Sequence, residues 1–436
     1  MGRFLGRIVH EEACMTIVSL ICFSLNFLVI ISCFRRGADP LSPGRIFTFV
    51  WALSIGLADL KFSRFQHIWS LYSWIIFLIG IMAFLLGVFI MYCFNLDKPL
   101  LPLSEVRDRI QRQARDYIDP QRFFRVIVVL FVAYLTAYCV EVAIEGTVPL
   151  FSKNIEKLRI DFGTFGIHLI TNTMVSVMFL VVEYFLIIQN YKRNKIWLGV
   201  IFLLTTFTFF LLLQRYNFFV WAVMALGLTY YTSRHIRFRN LFFAGGAFFG
   251  LLVLIRNLRI TQYVQQYHYV ISKMKYPPMF ATFTEPYMYT VMNLENFARG
   301  VDKLDQFYYG YFTFDWVLAL TGLKHWLEAY FRIERLPFLV SGYNTFTFHW
   351  WYYYDFGIIG VALIPFLSGF VIAQLYFRLR AKPTIITATL YSMALLLMII
   401  SFIMNPLNRL DFVSNVVLIW FVNIVVHQTN ANKSLA

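Results

Sequence analysis

The chain has 436 residues, of which 59% are apolar and 14% are charged, and its formal net charge is +15. Soluble domains carry roughly 45–50% apolar and about 25% charged residues, so this composition excludes a soluble enzyme, a disordered chain and a fibrous protein. It predicts an all-α polytopic membrane protein with about 11 (10–12) transmembrane helices, since each span needs ~20 residues. Cytoplasmic loops account for the excess of basic residues better than a nucleic-acid partner does.

Apolar runs that are suited to helical spans recur along the whole chain. They lie at about 15–33, 46–60, 72–95, 126–144, 167–189, 196–213, 217–233, 241–255, 356–378, 384–404 and 412–428. The loops after the first, third, fifth, seventh and ninth runs carry clusters of arginine and lysine, which predicts that these loops are cytoplasmic. The N-terminus is then outside and the C-terminus inside.

This arrangement predicts three regions. Residues 1–255 form an N-terminal bundle with spans one to eight, residues 256–355 form a large periplasmic loop, and residues 356–436 hold the C-terminal spans. The large loop is rich in aromatic residues, so we expect short helices there and not disorder. Segment 104–118 predicts an amphipathic helix on the inner leaflet, where its arginines meet anionic headgroups. Residues 145–166 form a second periplasmic loop.

Ionisable residues at the outer ends of the spans are the first candidates for a site. Arg215 lies in the turn between spans six and seven, and Arg256 and Arg259 close the eighth span. Basic residues normally collect at the cytoplasmic ends of membrane spans, which we call the orientation rule. Cations at the outer end of a span run against this rule. They either snorkel to headgroup phosphates or converge on an anionic substrate such as a diphosphate, which guanidinium groups bind well. Glu145, at the outer end of the fourth span, either joins this site or pairs with a nearby arginine.

A second group of polar and aromatic residues closes the large loop just before span nine. An aromatic belt at the membrane interface explains part of it, but such a belt needs neither Asn344, His349 nor Asp355. Tyrosine and tryptophan faces suit the apolar faces of sugar rings, which predicts a binding role for Tyr353. His349 close to Asp355 at the water boundary predicts acid–base chemistry, with Tyr343 as a further candidate.

Four patterns recur in a fixed order along the chain. They are Glu-x-x-x-Glu-Gly-x-x-Pro-Leu-Phe at 141–151, Gln214-Arg215, Arg256, and Tyr343-Asn344-Thr345 with Tyr354-Asp355-Phe356-Gly357-x-x-Gly360. Together with their membrane placement they resemble the bacterial oligosaccharide repeat-unit polymerases, the Wzy-type O-antigen polymerases, over roughly residues 125–380. The resemblance implies a glycosyltransferase C-like fold in the bacterial inner membrane, with an active site facing the periplasm.

The resemblance also implies a reaction. One undecaprenyl-diphosphate-linked chain is the donor, and a hydroxyl of a second lipid-linked repeat unit attacks its anomeric carbon with inversion. Arg215, Arg256 and Arg259 stabilise the leaving diphosphate without a metal or a cofactor. In the related O-antigen ligases a histidine shortly before an asparagine is the expected base. Here Tyr343 precedes Asn344, which leaves the base role to another residue, for which His349 and Asp355 are candidates.

Partners and alternatives follow from the same resemblance. We expect a flippase and a chain-length regulator of the same pathway as partners, besides the bilayer itself, and no nucleic acid. An O-antigen ligase uses the same donor and is the nearest alternative. A lipid-linked oligosaccharide flippase or transporter is another, which predicts polar residues at mid-membrane and internal symmetry.

Overall fold

The computed structural model describes residues 16–35, 37–152, 158, 162–164, 166–233, 243, 246, 262–331, 337–340 and 342–427. These residues fold into helices and form no strand. In chain order the α-helices are α1 (Ile17–Cys33), α2 (Pro43–Asp59), α3 (Leu71–Cys93), α4 (Leu103–Tyr117), α5 (Pro120–Glu145), α6 (Ile167–Thr171), α7 (Met174–Ile187), α8 (Lys192–Leu212), α9 (Arg215–Thr232), α10 (Gln262–Ile271), α11 (Thr284–Lys303), α12 (Asp315–Leu320), α13 (Leu323–Phe331), α14 (His349–Ala381), α15 (Ile385–Ile399) and α16 (Leu410–Val426). Short 3₁₀ helices lie at Pro149–Phe151, Pro278–Phe283 and Pro406–Asn408.

Several helices have the length and composition of membrane spans. Five stretches of the described residues qualify, namely α3, α5 with the 3₁₀ turn after it, α6 together with α7, α8, and α14. The shorter helices α1, α15 and α16 are also apolar. The prediction of a helical membrane protein is confirmed to this extent. The number of 11 spans stays a prediction, and the predicted eighth span, 241–255, lies outside the described residues.

Local sequence sets the ends of these helices. Thr16 caps α1 by accepting the N–H of Val18, and Ser70 caps α3 in the same way. Asp119 caps α5 and is followed by a proline in the first turn, where the missing N–H of proline has no cost. The same helix stops at Gly146, which takes a left-handed conformation (φ 71°) that glycine adopts easily.

The described helices belong to two compact units. Unit 1 comprises Met1–Phe94, Phe242–Ala373 and Leu397–Asn408. Unit 2 comprises Asn95–Leu241, Gln374–Leu396 and Arg409–Ala436. Each unit therefore combines N-terminal helices with later segments of the chain.

Glycines bring α3 and α14 into close contact within unit 1. A Cβ atom on Gly87 would lie 2.1 Å from the carbonyl oxygen of Phe366, and one on Gly369 would lie 2.1 Å from that of Phe84. Only hydrogen fits at both positions, so the two backbones approach as closely as small residues allow. This is the usual way in which helices associate inside a membrane, where hydrophobic burial provides little driving force.

The amphipathic helix predicted at 104–118 is present as α4, but its surroundings differ from the prediction. Its apolar side is fully buried at Val106, Ile110 and Ala114 and packs against α9 and α7 of unit 2. Arg107 on the same side is also buried, and its Nε donates to the carbonyl oxygen of Tyr230 at 2.9 Å. This side therefore packs on protein, where it covers the ends of neighbouring helices and satisfies their free carbonyl groups. The position of the helix on the inner leaflet stays a prediction.

The described part of the predicted large loop folds as expected into short helices, α10 to α13. The longest, α11, is largely buried and packs against α2 and α3 in unit 1. Its Gly300 accommodates the ring of Trp350, since a Cβ atom there would lie 2.2 Å from Cζ3 of the indole. The loop therefore forms part of the body of unit 1. Its placement in the periplasm stays a prediction.

Candidate functional site

The three arginines predicted to bind a diphosphate are only partly described. Arg215 is the first residue of α9 in unit 2, as the pattern predicted. Arg256 and Arg259 lie outside the described residues. Their convergence with Arg215 therefore stays a prediction.

A further arginine reaches the beginning of α9. Arg409 precedes α16, and its Cζ lies 4.3 Å above the ring of Tyr216, the residue after Arg215. Two hydrogen bonds to the carboxylate of Asp411, at 3.0 and 2.7 Å, fix the orientation of this guanidinium. The side chain of Arg409 keeps 43% of its surface exposed. It is held in place and still accessible, which suits a group that meets a substrate.

Sequence reasoning missed Arg409, although a signal was present. The turn between spans ten and eleven is an outer turn in the predicted topology, so a cation there runs against the orientation rule as Arg215 does. The neighbouring Asp411 makes the pair look like an ordinary surface ion pair. Only the fold reveals that the guanidinium stacks on Tyr216.

A buried amide network surrounds this end of α9. The side chain of Asn217 donates to Asn172 Oδ1 at 3.2 Å and to Gln214 Oε1 at 2.9 Å. Asn415 donates to the carbonyl oxygen of Asn172 at 3.1 Å and accepts from the N–H of Ser176 at 3.1 Å. These bonds tie the starts of α7, α9 and α16 together. Satisfied buried networks of this kind are rigid, so the backbone at Arg215 and Arg409 is firmly positioned.

The two glutamates near the end of α5 have different surroundings. Glu141 is fully buried and accepts from the N–H of Thr164 at 3.2 Å, with Nδ1 of His168 at 3.1 Å. It therefore anchors the segment that follows α5. Glu145, the predicted substrate-binding residue, ends α5 and is half-buried. Among the described side chains none forms an ion pair with it, and its binding role stays a prediction.

His349 lies in an aromatic enclosure and not at the water boundary. It is fully buried, with its ring centroid 4.1 Å from that of Phe348 and 4.9 Å from that of Trp51. A Cβ atom on Gly80 would come within 2.4 Å of its Nε2. No side chain of the described residues is hydrogen-bonded to its ring, so the expected pairing with the carboxylate of Asp355 is absent. In this arrangement His349 packs the core of unit 1.

Asp355 lies beside a break in α14. Gly357 has φ 59° and ψ −142°, which interrupts the helix. The carbonyl groups of Tyr354 and Asp355, which are close to the break, accept the N–H groups of Tyr308 and Tyr309 at 3.1 and 3.0 Å. The pattern Tyr-Asp-Phe-Gly therefore marks a discontinuous helix whose backbone is completed by the large loop, as buried non-helical backbone requires.

The carboxylate of Asp355 binds the same loop. It accepts the N–H of Phe312 at 3.1 Å and that of Thr313 at 2.5 Å. Asp355 is fully buried, and both of its oxygen atoms face backbone donors. The geometry assigns it to holding the loop against α14. Its predicted catalytic role is not supported by any contact with His349.

The remaining predicted residues lie in the same unit. Tyr353 is 3% exposed and its hydroxyl group lies 3.4 Å from both the carbonyl oxygen of Val301 and the hydroxyl of Tyr72. Its ring is packed among neighbouring side chains, and its role in binding a sugar stays a prediction. Asn344 is exposed, and its predicted binding role stays a prediction.

Tyr343 has a hydroxyl group 2.9 Å from Oγ of Ser272 and is half-buried. Burial, which outweighs the hydrogen bond to Ser272, raises the pKa of this phenol. It is therefore protonated at neutral pH and able to donate a hydrogen bond, whereas a general base needs a pKa near the working pH. The described residues contain no group of three or more His, Cys, Asp or Glu side chains that could hold a metal ion.

No protein-family model, curated protein or solved structure matches this chain. The likeness to repeat-unit polymerases rests on the four residue patterns and their order.

Proposed function

We propose that the chain is a glycosyltransferase that polymerises undecaprenyl-diphosphate-linked oligosaccharide repeat units at the periplasmic face of the bacterial inner membrane. The observation that carries the proposal is the position of Arg409, whose guanidinium stacks on Tyr216 beside Arg215. Two arginines thus belong to one end of unit 2, where α9 and α16 both begin. Helix N-termini add partial positive charge at such an end. This combination suits an anion.

The proposed chemistry uses this positive end for the leaving group. The hydroxyl oxygen of the acceptor sugar attacks the anomeric carbon of the donor, and the bond from that carbon to the diphosphate oxygen breaks. The hydroxyl passes its proton to water at the outer surface as the new bond forms, and the electron pair of the broken bond stays on the diphosphate. Preorganised donors at such a charge are each worth about 3–4 kcal/mol of barrier. Direct attack inverts the anomeric configuration.

In this proposal, the substrate class comes from the resemblance to repeat-unit polymerases. The arginines and helix N-termini of unit 2 support the binding of an anionic leaving group. Because the donor is already activated by its lipid diphosphate, no nucleotide-sugar site is needed. A flippase must deliver the lipid-linked unit to the outer face, and a chain-length regulator is the expected partner in determining polymer size.

A reconstitution experiment separates polymerase, ligase and flippase. The purified protein in liposomes is supplied with lipid-linked repeat units alone, and the products are resolved by gel electrophoresis. A ladder of lengths supports the polymerase. Product that forms only after addition of a different acceptor indicates a ligase, and transfer of the unit across the bilayer without any product indicates a flippase.

Arg256→Ala tests the diphosphate role within the proposal. We expect it to abolish chain growth, because one guanidinium is worth about 10²–10³ in rate at a developing charge. The matched control is Arg112→Ala, which removes an exposed arginine from α4. Chain lengths from cells at equal membrane levels of each protein provide the measurement. Wild-type lengths with Arg256→Ala would contradict the role.

A further inference from the structure

Two loops of unit 1 pair with each other and bring together basic residues that the candidate site above does not include. The loop between α2 and α3 meets the segment after α10, where the N–H of Arg64 donates to the carbonyl of Lys273 at 3.1 Å. The N–H of Lys275 donates to the carbonyl of Phe62 at 2.7 Å. The pairing places four cations at one end of unit 1, and we call them the basic cluster: Lys61, Arg64, Lys273 and Lys275.

Two lysines of the basic cluster are held in matching, unusual conformations. Lys61 and Lys273 have φ angles of 50° and 49°, in the left-handed region that non-glycine residues seldom adopt. The ammonium group of Lys61 lies 5.7 Å from the ring centroid of Trp69, and that of Lys273 lies 5.4 Å from the ring centroid of Phe65. Cation–π contact thus fixes both charged groups over aromatic rings of one loop. Such strained positions persist only where their surroundings enforce them.

A buried carboxylate of unit 1, Glu295, is held by other partners than the basic cluster. Glu295 is 1% exposed and pairs with Nε of Arg299 at 3.1 Å. Its other oxygen accepts from the indole N–H of Trp69 at 2.9 Å. Arg299 also donates to the carbonyl oxygen of Phe65 at 3.0 Å, which holds the loop in place. Glu295 thus pairs with Arg299 and supports the loop, and it compensates only part of the charge of the basic cluster, at Lys61.

The charges of the basic cluster act on one another. Burial, the largest cause, lowers the pKa of Lys61, and Lys275 lowers it further, while Glu295 and Asp59 offset part of the effect. Among the described residues no carboxylate forms an ion pair with Arg64, Lys273 or Lys275. Glu295 and Asp59 thus compensate part of the charge at Lys61, whereas the other three cations of the basic cluster have no ion-pair partner among the described residues. An anion that binds among these cations relieves their mutual repulsion.

Exposed apolar side chains lie within a few residues of these cations on the same two segments of the chain. Ile68 is 90% exposed in the loop between α2 and α3, and Val270 and Ile271 are 67% and 46% exposed at the end of α10. A free inorganic anion has no apolar part that could contact such side chains. Basic and apolar side chains side by side are typical of surfaces that bind lipid headgroups.

We propose that the basic cluster binds the phosphate-bearing headgroup of a lipid, whose hydrocarbon chain lies against Ile68, Val270 and Ile271. The shared chemistry is a phosphate group on a lipid, which a polyprenyl diphosphate and an anionic phospholipid both provide. The inference holds whether or not the protein transfers sugars, since it depends on contacts within unit 1 alone.

Native mass spectrometry of the full-length protein in detergent tests this site. Four probes are titrated: phosphatidylglycerol, undecaprenyl diphosphate, phosphatidylcholine and inorganic pyrophosphate. We expect Lys273→Gln and Lys275→Gln each to weaken binding of the two anionic lipids about fivefold, and the double variant about 25-fold, as for basic residues at an anionic surface. The matched control is Lys303→Gln, which removes an exposed charge from the last turn of α11. Charge-preserving Lys273→Arg and Lys275→Arg should bind as the wild type does.

The outcomes separate the sources of the phosphate. Binding of undecaprenyl diphosphate at least tenfold tighter than of phosphatidylglycerol identifies a lipid diphosphate, and equal binding identifies a phospholipid of the bilayer. Three results overturn the proposal. The first is that the anionic lipids bind no more tightly than phosphatidylcholine or pyrophosphate. The second is that Lys303→Gln weakens binding of the anionic lipids as much as Lys273→Gln does. The third is that Lys273→Arg and Lys275→Arg lose binding although their thermal unfolding is unchanged.

Discussion

Asp355→Asn should release residues 308–313 from α14 while leaving the shape of the side chain almost unchanged. The carboxylate accepts the N–H groups of Phe312 and Thr313 at 3.1 and 2.5 Å. Hydrogen bonds to a charged group contribute about 1.5–3 kcal/mol each. Asparagine offers one oxygen atom and turns an amide donor toward the other N–H, so one bond is lost and the second becomes a neutral bond worth about 1 kcal/mol. The free energy of unfolding should fall by about 2–5 kcal/mol.

Limited proteolysis and thermal unfolding of the purified protein measure this change. We expect Asp355→Asn to expose the chain between α11 and α12 to protease, at a rate raised in proportion to the population of the released loop. Asp305→Asn is the matched control, because Asp305 is an exposed carboxylate of the same loop. An unchanged proteolysis pattern and unfolding temperature, together with lost turnover, would refute the structural role. They would return Asp355 to the catalytic role that the sequence predicted.

Three further substitutions address separate contacts. Gly80→Ala should lower the unfolding temperature, measured by differential scanning fluorimetry, because its Cβ atom would lie 2.4 Å from Nε2 of His349. The control Gly199→Ala should leave the unfolding temperature unchanged, because nothing lies within 4 Å of a Cβ atom there. Equal unfolding temperatures of the two variants would contradict the enclosure of His349. Arg409→Lys should shorten polymer chains in cells by gel analysis, since lysine lacks the planar fork, and wild-type lengths would remove Arg409 from the site. The stability that Tyr343 contributes is present below pH 10 and lost as the pH rises through its raised folded-state pKa. Tyr343→Phe should therefore lose less stability in alkaline unfolding series than the wild type, and parallel curves would contradict this.

Sequence alone predicted the helices well because hydropathy is a local property. The apolar runs at 72–95 and 196–213 became α3 (Leu71–Cys93) and α8 (Lys192–Leu212) with shifts of only a few residues at their ends. Bilayer thickness fixes the length of such runs, and caps such as Ser70 fix their starts. Neither property depends on which helices become neighbours.

The surroundings of His349 and Asp355 could not be predicted in the same way. The ring of His349 packs against Trp51 and Gly80. Both residues are more than 250 positions away in the sequence, and nothing in their sequence surroundings predicts the contact. Asp355 binds the backbone N–H groups of residues 312 and 313, and a backbone donor has no signature among the residue types. A histidine six positions before an aspartate therefore resembles an acid–base pair in the sequence, although the break at Gly357 gives the aspartate a different task.

Basic residues that run against the orientation rule helped to locate candidate sites in the sequence. Basic residues that follow the rule did not reveal their contacts. The basic face of α4 fits the pattern expected of a helix on the inner leaflet. Arg107, on the other side of α4, instead donates to the carbonyl oxygen of Tyr230. The sequence alone does not show which arginines of α4 bind a carbonyl group and which meet lipid headgroups. In the predicted topology Arg215 and Arg409 violate the orientation rule. In the fold, the guanidinium of Arg409 stacks on Tyr216, the residue after Arg215. The same argument covers the basic cluster, since its cations also belong to segments predicted to lie outside. Arg409 has a counter-charge in Asp411, whereas Arg64, Lys273 and Lys275 have no ion-pair partner among the described residues. An anionic ligand can supply the counter-charge that these three cations lack.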